Sequence, residues 1–227
     1  MVDDTGAAAT ADISASRLHA IEHNLTRYLD ITSAILLSIA TVATAWCVYQ
    51  ATGWSGEQSR AYAEASSRRI ESSREYSRAI QILAIDADVF LGWVAAYNDN
   101  DQPLLAFYET NLMRDEFLPY LNEWRASQPL VNPDAKPNPL VGEEYQLTLF
   151  AESVRLRAEA DALFEEATEA NHTADEYILA TVIFASVLFF AGIAPKFVST
   201  RIQMALVGMA ILTFAVGVYQ IGGLPAQ

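Results

Sequence analysis

Charge is missing from three stretches of this sequence: residues 31–50, 177–195 and 202–221 contain no Asp, Glu, Lys or Arg. Each approaches the roughly 20 apolar residues that an α-helix, rising about 1.5 Å per residue, needs to cross a hydrocarbon core of roughly 30 Å. Other absences narrow the field. The one cysteine, Cys47, excludes an intramolecular disulfide and, lying inside the first run, reads as a packing residue. Lysine occurs only at Lys136 and Lys196, with arginine and alanine plentiful, a composition that hints at a GC-rich prokaryotic genome. A net charge of -14 with no Lys/Arg cluster argues against nucleic acid as a partner, because phosphate neutralisation drives that binding. The adjacent pair Arg68 and Arg69 sits among Glu64, Glu71 and Glu75, which cancel its field. No basic segment followed by a short apolar core marks a cleavable leader, so the first run is expected to stay attached.

What is present is an all-α integral membrane protein with three transmembrane helices and an acidic helical extramembrane domain inserted between spans 1 and 2. The 52% hydrophobic residues are gathered into blocks, and bilayer segments must satisfy their own backbone groups, which selects helices over short alternating barrel strands. The divisions are 1–30, an N-terminal cytoplasmic segment; 31–52, the first span; 53–175, the extramembrane domain; 176–195 and 201–221, the second and third spans. Arg17, Arg27, Lys196 and Arg201 fall on one side, which the positive-inside rule makes cytoplasmic. Arg60, Arg68 and Arg69 count against this placement, though long translocated regions are read less strictly. The localisation expected is the cell membrane, multi-pass, with the central domain and the uncharged tail outside.

Along the chain, Leu18, Ile21, Leu25 and Tyr28 form a one-sided stripe suited to a helix on the inner membrane surface or to a plain extension of span 1. Helix continues beyond Gln50 to Arg78, supported by the pairs Glu64–Arg68, Glu71–Arg74 and Glu75–Arg78, with Gly53 and Gly56 permitting a bend. Residues 79–97 have the length of a fourth span, but Asp86 and Asp88 at the centre argue for a buried helix of the outer domain. A turn at 98–103 leads to a helix over 104–124 with Leu105, Tyr108, Leu112 and Leu121 as core, and four prolines make 129–142 an irregular loop.

Two seams of alternating three- and four-residue spacing stand out. One runs Leu149, Ser153, Leu156, Ala160, Leu163, Ala167 and Ala170, continuing through Ala174, Tyr177, Thr181, Phe184, Leu188 and Ala191, so one helix can pass from the outer domain into span 2. The other is Ala34, Ser38, Thr41, Ala45, Val48 and Thr52 in span 1, where small and hydroxyl residues mark helix contacts in lipid. The expected packing and interaction residues are Ala34, Ser38, Thr41, Ala45, Trp46, Tyr49, Gln50, Leu149, Leu156 and Leu163. Tyr49-Gln50 and Tyr219-Gln220 close the first and third spans alike, as interfacial anchors.

The sequence carries no catalytic or cofactor signature. His19 and His23 supply half a metal site, residues 98–101 only start a calcium loop, and no phosphate loop, Gly-x-Ser-x-Gly or His-Glu-x-x-His occurs. His172 with Asp175 and Glu176 reads as an interfacial helix turn or a pH-sensitive contact. No catalytic residue, metal or cofactor is expected. The motif Trp46-x-x-Tyr49-Gln50-Ala51 at the end of span 1, a charged helical insert and two closely spaced C-terminal spans resemble a bacterial membrane protein family known as a domain of unknown function. Thr52-Gly53-Trp54-Ser55-Gly56 departs from the basic continuation of that family. The resemblance implies architecture and no substrate. The function expected is a non-enzymatic membrane assembly protein or accessory subunit, in lipid, as a homo-oligomer or part of a larger complex. The alternative is a homo-oligomeric cation channel with an acidic vestibule and a pore lined by Ser38, Thr41 and Thr44. A third is a ligand sensor, for which no output module is visible.

Overall fold

The computed structural model describes residues 5–129 and 131–227, with side chains from Asn24 onward. The His19/His23 pair and the stripe residues Leu18 and Ile21 lie outside the described side chains. Among the described residues the chain is 86% helical with no strand. Five α-helices follow in order: α1 (Thr5–Asn98), α2 (Gln102–Phe107), α3 (Leu118–Ala126), α4 (Glu143–Ile193) and α5 (Thr200–Ile221). Helices α1, α4 and α5 are each long and apolar enough to cross a membrane. Two compact units divide the chain: Met1–Arg60 with Glu166–Gln227, and Ala61–Glu165.

The first unit is a three-helix assembly. Leu36, Ala40 and Cys47 of α1 meet Tyr177, Ala180, Phe184 and Val187 of α4 and Val207 and Ala210 of α5 in one core. Small residues at the contacts let the backbones approach, which lipid-embedded helices need because apolar side chains gain little over acyl chains. Gly217 of α5 is the tightest case. A Cβ there would lie 2.9 Å from Phe184 Cε1 and 3.3 Å from Ile183 Cγ2. Gly217→Leu is therefore expected to lower unfolding stability in nanodiscs by about 1–3 kcal/mol through overpacking. Gly208→Leu on the same helix, with nothing within 4 Å of its built Cβ, should change little. Equal melting of the two variants would refute close packing at Gly217.

The seam expected in span 1 lies on the face of α1 that the rest of the chain leaves uncovered. Ala34, Ser38, Thr41, Ala45, Val48 and Thr52 are exposed, as are Trp46 and Tyr49, while Ser33, Leu36, Ala40, Cys47 and Gln50 are buried. The hydroxyls of Ser38, Thr41 and Thr52 donate to carbonyls one turn back at 2.9, 2.7 and 2.8 Å, so none crosses to a neighbouring helix of the chain. In α4 the seam lies on its foreseen face through Tyr177, with Leu156 buried and Leu149 and Leu163 half-buried. Beyond Tyr177 the burial steps to Ala180 and Val187, leaving Thr181 and Leu188 at the flank. A three-residue step rotates the contact face, and it coincides with the part of α4 that packs on α5 as well as α1.

The second unit is a helical hairpin closed by α2, α3 and a loop. Gly53 and Gly56 lie in uninterrupted α1, which runs to Asn98. The pair expected between Glu71 and Arg74 is replaced by Glu71 with Arg68 at 3.1 Å. Asn100, at φ 56°, takes the left-handed conformation that asparagine tolerates, and Asp101 caps α2 by accepting from Leu104 N at 3.1 Å. The single helix expected over 104–124 is instead three pieces. After α2 comes a π-helical turn, Tyr108–Leu112, then an extended Met113 (ψ 143°), and Pro119 opens α3. Leu105 and Leu121 are buried as expected, but Leu112 is exposed, because the break hands its core place to Met113 and Phe117. The proline loop is irregular apart from a 3-10 turn at Pro139–Val141, and Trp124 Nε1 pins it by donating to Lys136 O at 2.7 Å.

Candidate functional site

The second unit carries the densest set of polar and aromatic side chains. Phe90, Trp93, Phe117, Leu121, Trp124 and Tyr145 form its core, with Phe90 edge-on to Trp124 at 5.1 Å and Trp93 stacked on Tyr97 at 4.9 Å. Such offset and edge arrangements suit the aromatic quadrupole. Gly92 admits the Tyr108 ring against α1, since a Cβ would collide with it.

At the edge of this core sits Asp86, 3% exposed. Arg114 grips it in a fork, Nε donating to Oδ1 at 3.1 Å and Nη2 to Oδ2 at 2.7 Å, and Tyr145 OH donates to Oδ2 at 2.7 Å. The break after the π turn is what aims Arg114 back at α1. The hydrogen bond to Asp86 is the main cause raising the Arg114 pKa, and burial first, then the bond to Asp86, raises that of Tyr145. A second node joins Glu109 to Trp93 Nε1 at 3.0 Å and Arg125 Nη1 at 2.9 Å, with Arg125 5.9 Å over the Trp93 ring.

Two clefts of about 210 Å³ each flank Tyr145, one lined by Arg114, Tyr120 and Thr148, the other by Glu123, Trp124, Lys136 and Glu144. Their chemistry is limited by prior commitments. Both Asp86 oxygens are occupied, Tyr145 holds its proton well past neutrality, and Lys136 lies 3.9 Å from Glu123. This is a polar staple in an aromatic core, with no nucleophile poised beside a base. Among the described residues no group of three His, Cys, Asp or Glu is placed to hold a metal ion. Residues 98–101 form a capping turn, and His172 Nδ1 lies 3.6 Å from Glu176 one helical turn on.

A third constellation belongs to the first unit. Gln50, fully buried, accepts from Gln227 N at 2.9 Å and donates to Gln227 O at 3.2 Å. Trp54 Nε1 and Tyr177 OH both donate to Pro225 O, at 3.1 and 3.2 Å. The segment after α5 is thereby tied to α1 and α4. Of the residues singled out in span 1, Gln50 alone makes such a tertiary bond, while Trp46 and Tyr49 face outward with ring centroids 6.0 Å apart.

Sequence reasoning placed Asp86 in a buried helix but named neither Arg114 nor Tyr145. The usable signal was the carboxylate itself, since a buried charge requires a partner. The fold defines a class: an all-helical chain with three helices long and apolar enough to cross a membrane. No family model, no curated protein and no solved structure matches it.

Proposed function

We propose that this chain is a membrane-anchored assembly protein, non-enzymatic, that self-associates or serves as a subunit of a larger membrane complex. Its three apolar helices anchor it in the cell membrane, with the N-terminal segment cytoplasmic and residues 53–175 as an extracytoplasmic helical domain. One observation carries the reading: the buried Asp86 of the second unit is fully engaged by Arg114 and Tyr145, while large apolar side chains stay outside. Ile70 and Tyr76 on α1 and Leu147 and Val154 on α4 are each more than half exposed. Exposed apolar side chains in a segment that leaves the membrane mark surfaces for other proteins. The channel alternative draws less support, because the Ser38, Thr41 and Thr44 hydroxyls are donated to their own helix. Native mass measurement after extraction into nanodiscs is expected to show more than one chain or a retained partner. A lone monomer would sink the proposal.

A further inference from the structure

Three side chains at one end of the first unit hold the segment after α5, and they hold it by its backbone. Gln50 spends both ends of its amide on a single residue, Oε1 accepting from Gln227 N at 2.9 Å and Nε2 donating to Gln227 O at 3.2 Å. Trp54, one turn further along α1, and Tyr177 of α4 converge on Pro225 O at 3.1 and 3.2 Å. Residues 225–227 are exposed and bond to no other backbone group among the described residues, so these four hydrogen bonds and the packing of Leu224 on the core fix them. Gly53 lies against the Gln227 side chain: a Cβ there would meet Gln227 Oε1 and lie 3.3 Å from its Cδ.

We infer that Gln50, Gly53, Trp54 and Tyr177 form a recognition notch for an extended, uncharged peptide of Leu-Pro-x-Gln type, and that residues 224–227 are its occupant in cis. A helix ordinarily offers an extended chain nothing to pair with, because its N–H and C=O groups are bonded within it. Here side chains substitute: Gln50 presents the paired acceptor and donor that a neighbouring β-strand would present, and main-chain bonds of that kind give affinity in peptide recognition while the flanking pockets give selectivity. The selectivity is legible in the occupant. Proline at 225 forfeits nothing, since it lacks an N–H and only its carbonyl is used. Leucine at 224 enters the core, and glycine at 53 leaves room for glutamine at 227. Neither the notch residues nor residues 222–227 carry charge. The notch is also independent of what fills it, because Gln50, Gly53 and Trp54 belong to uninterrupted α1 and Tyr177 to α4. With the segment lifted, three donors and one acceptor lose their partners, and unmet polar groups of this kind favour any peptide that restores them. The seated segment therefore occludes the notch, and a matching segment of another chain competes for it. This holds for one copy or several.

The test uses the full chain in nanodiscs with a protease site inserted between Gly222 and Gly223, so that folding precedes cutting. After cleavage the freed segment is displaced by an excess of dye-labelled peptide Gly-Gly-Leu-Pro-Ala-Gln, amidated at its end, and binding is read by fluorescence anisotropy. Saturable binding of one peptide per chain is expected, at least about tenfold tighter than to the uncut chain, whose own segment competes. Methylating the glutamine backbone nitrogen of the peptide removes the donor to Gln50 Oε1 and should weaken binding about tenfold, whereas Ala226→Ser in the peptide should leave it within about twofold. On the protein, Gln50→Leu should weaken binding about tenfold or more and Tyr177→Phe a few-fold. The N-methyl comparison leaves the chain unaltered, so it decides the case even where Gln50→Leu impairs folding. No saturable binding to the cut chain, equal affinity for cut and uncut chains, or indifference to N-methylation overturns the notch.

Discussion

Replacing Asp86 with alanine should destabilise the second unit by about 3–5 kcal/mol, the usual cost of removing one partner of a buried ion pair. The size follows from what is left behind. Arg114, 30% exposed at its side chain, loses both prongs of its fork and keeps only Glu116 at 3.3 Å, and Tyr145 loses the acceptor of a 2.7 Å bond. Asp86→Asn, which retains the volume and one acceptor oxygen, should cost less, and Tyr145→Phe about 1–3 kcal/mol. The same node sets an alkaline limit. The Tyr145 pKa is raised above its ordinary 10.0 in the fold, so the neutral phenol's contribution is complete below about pH 10. It is lost as pH climbs beyond that, and Tyr145→Phe should flatten this part of the profile. Urea titration of the full chain in nanodiscs, followed by tryptophan fluorescence, gives each value. An Asp86→Ala midpoint equal to that of the parent would show that the node is not a staple.

Trp93→Ala should be comparably severe, about 3–5 kcal/mol for truncating a large buried aromatic. Trp93 is wholly buried between Phe90 and Tyr97, with centroids at 6.4 and 4.9 Å. Its removal opens a cavity in the centre of the core and deprives Glu109 of one of its two donors, while Arg125 remains. Trp93→Phe keeps most of the apolar volume and should recover much of the loss. Hydrogen exchange would locate the effect: faster exchange is expected in α2, α3 and residues 83–98 and not in α5. Uniform acceleration across the chain, or none, would contradict a core confined to the second unit.

Where water lies on one side of a helix, burial was legible in the order of residues. In α4 up to Tyr177, charges such as Arg155, Asp161 and Glu169 mark the outer face, and Ser153, Leu156, Ala160, Ala167 and Ala170, at the expected spacing, are buried. In span 1 the same arithmetic chose Ala34, Ser38 and Thr41, which are exposed. No charge interrupts that run, so a period of 3.5 fits several faces equally well and nothing marks which is outside. The missed break at Met113 has another cause. The 104–124 segment is helical in pattern, but the fork onto Asp86 lies 28 residues back along the chain, beyond any local window.

The sequence by itself therefore determined the helical class, the three lengths sufficient for a bilayer, the continuity of α4 and the turn and proline loop that bound α2 and α3. These depend on local propensity and on the uninterrupted absence of charge, both of which act over a few turns. Only the tertiary structure decided the register of the first span, the partners of Asp86 and the capture of Gln227 by Gln50. Those depend on which side chains meet at long separation, where the cost of an unpaired buried group selects one arrangement and sequence order carries no distance.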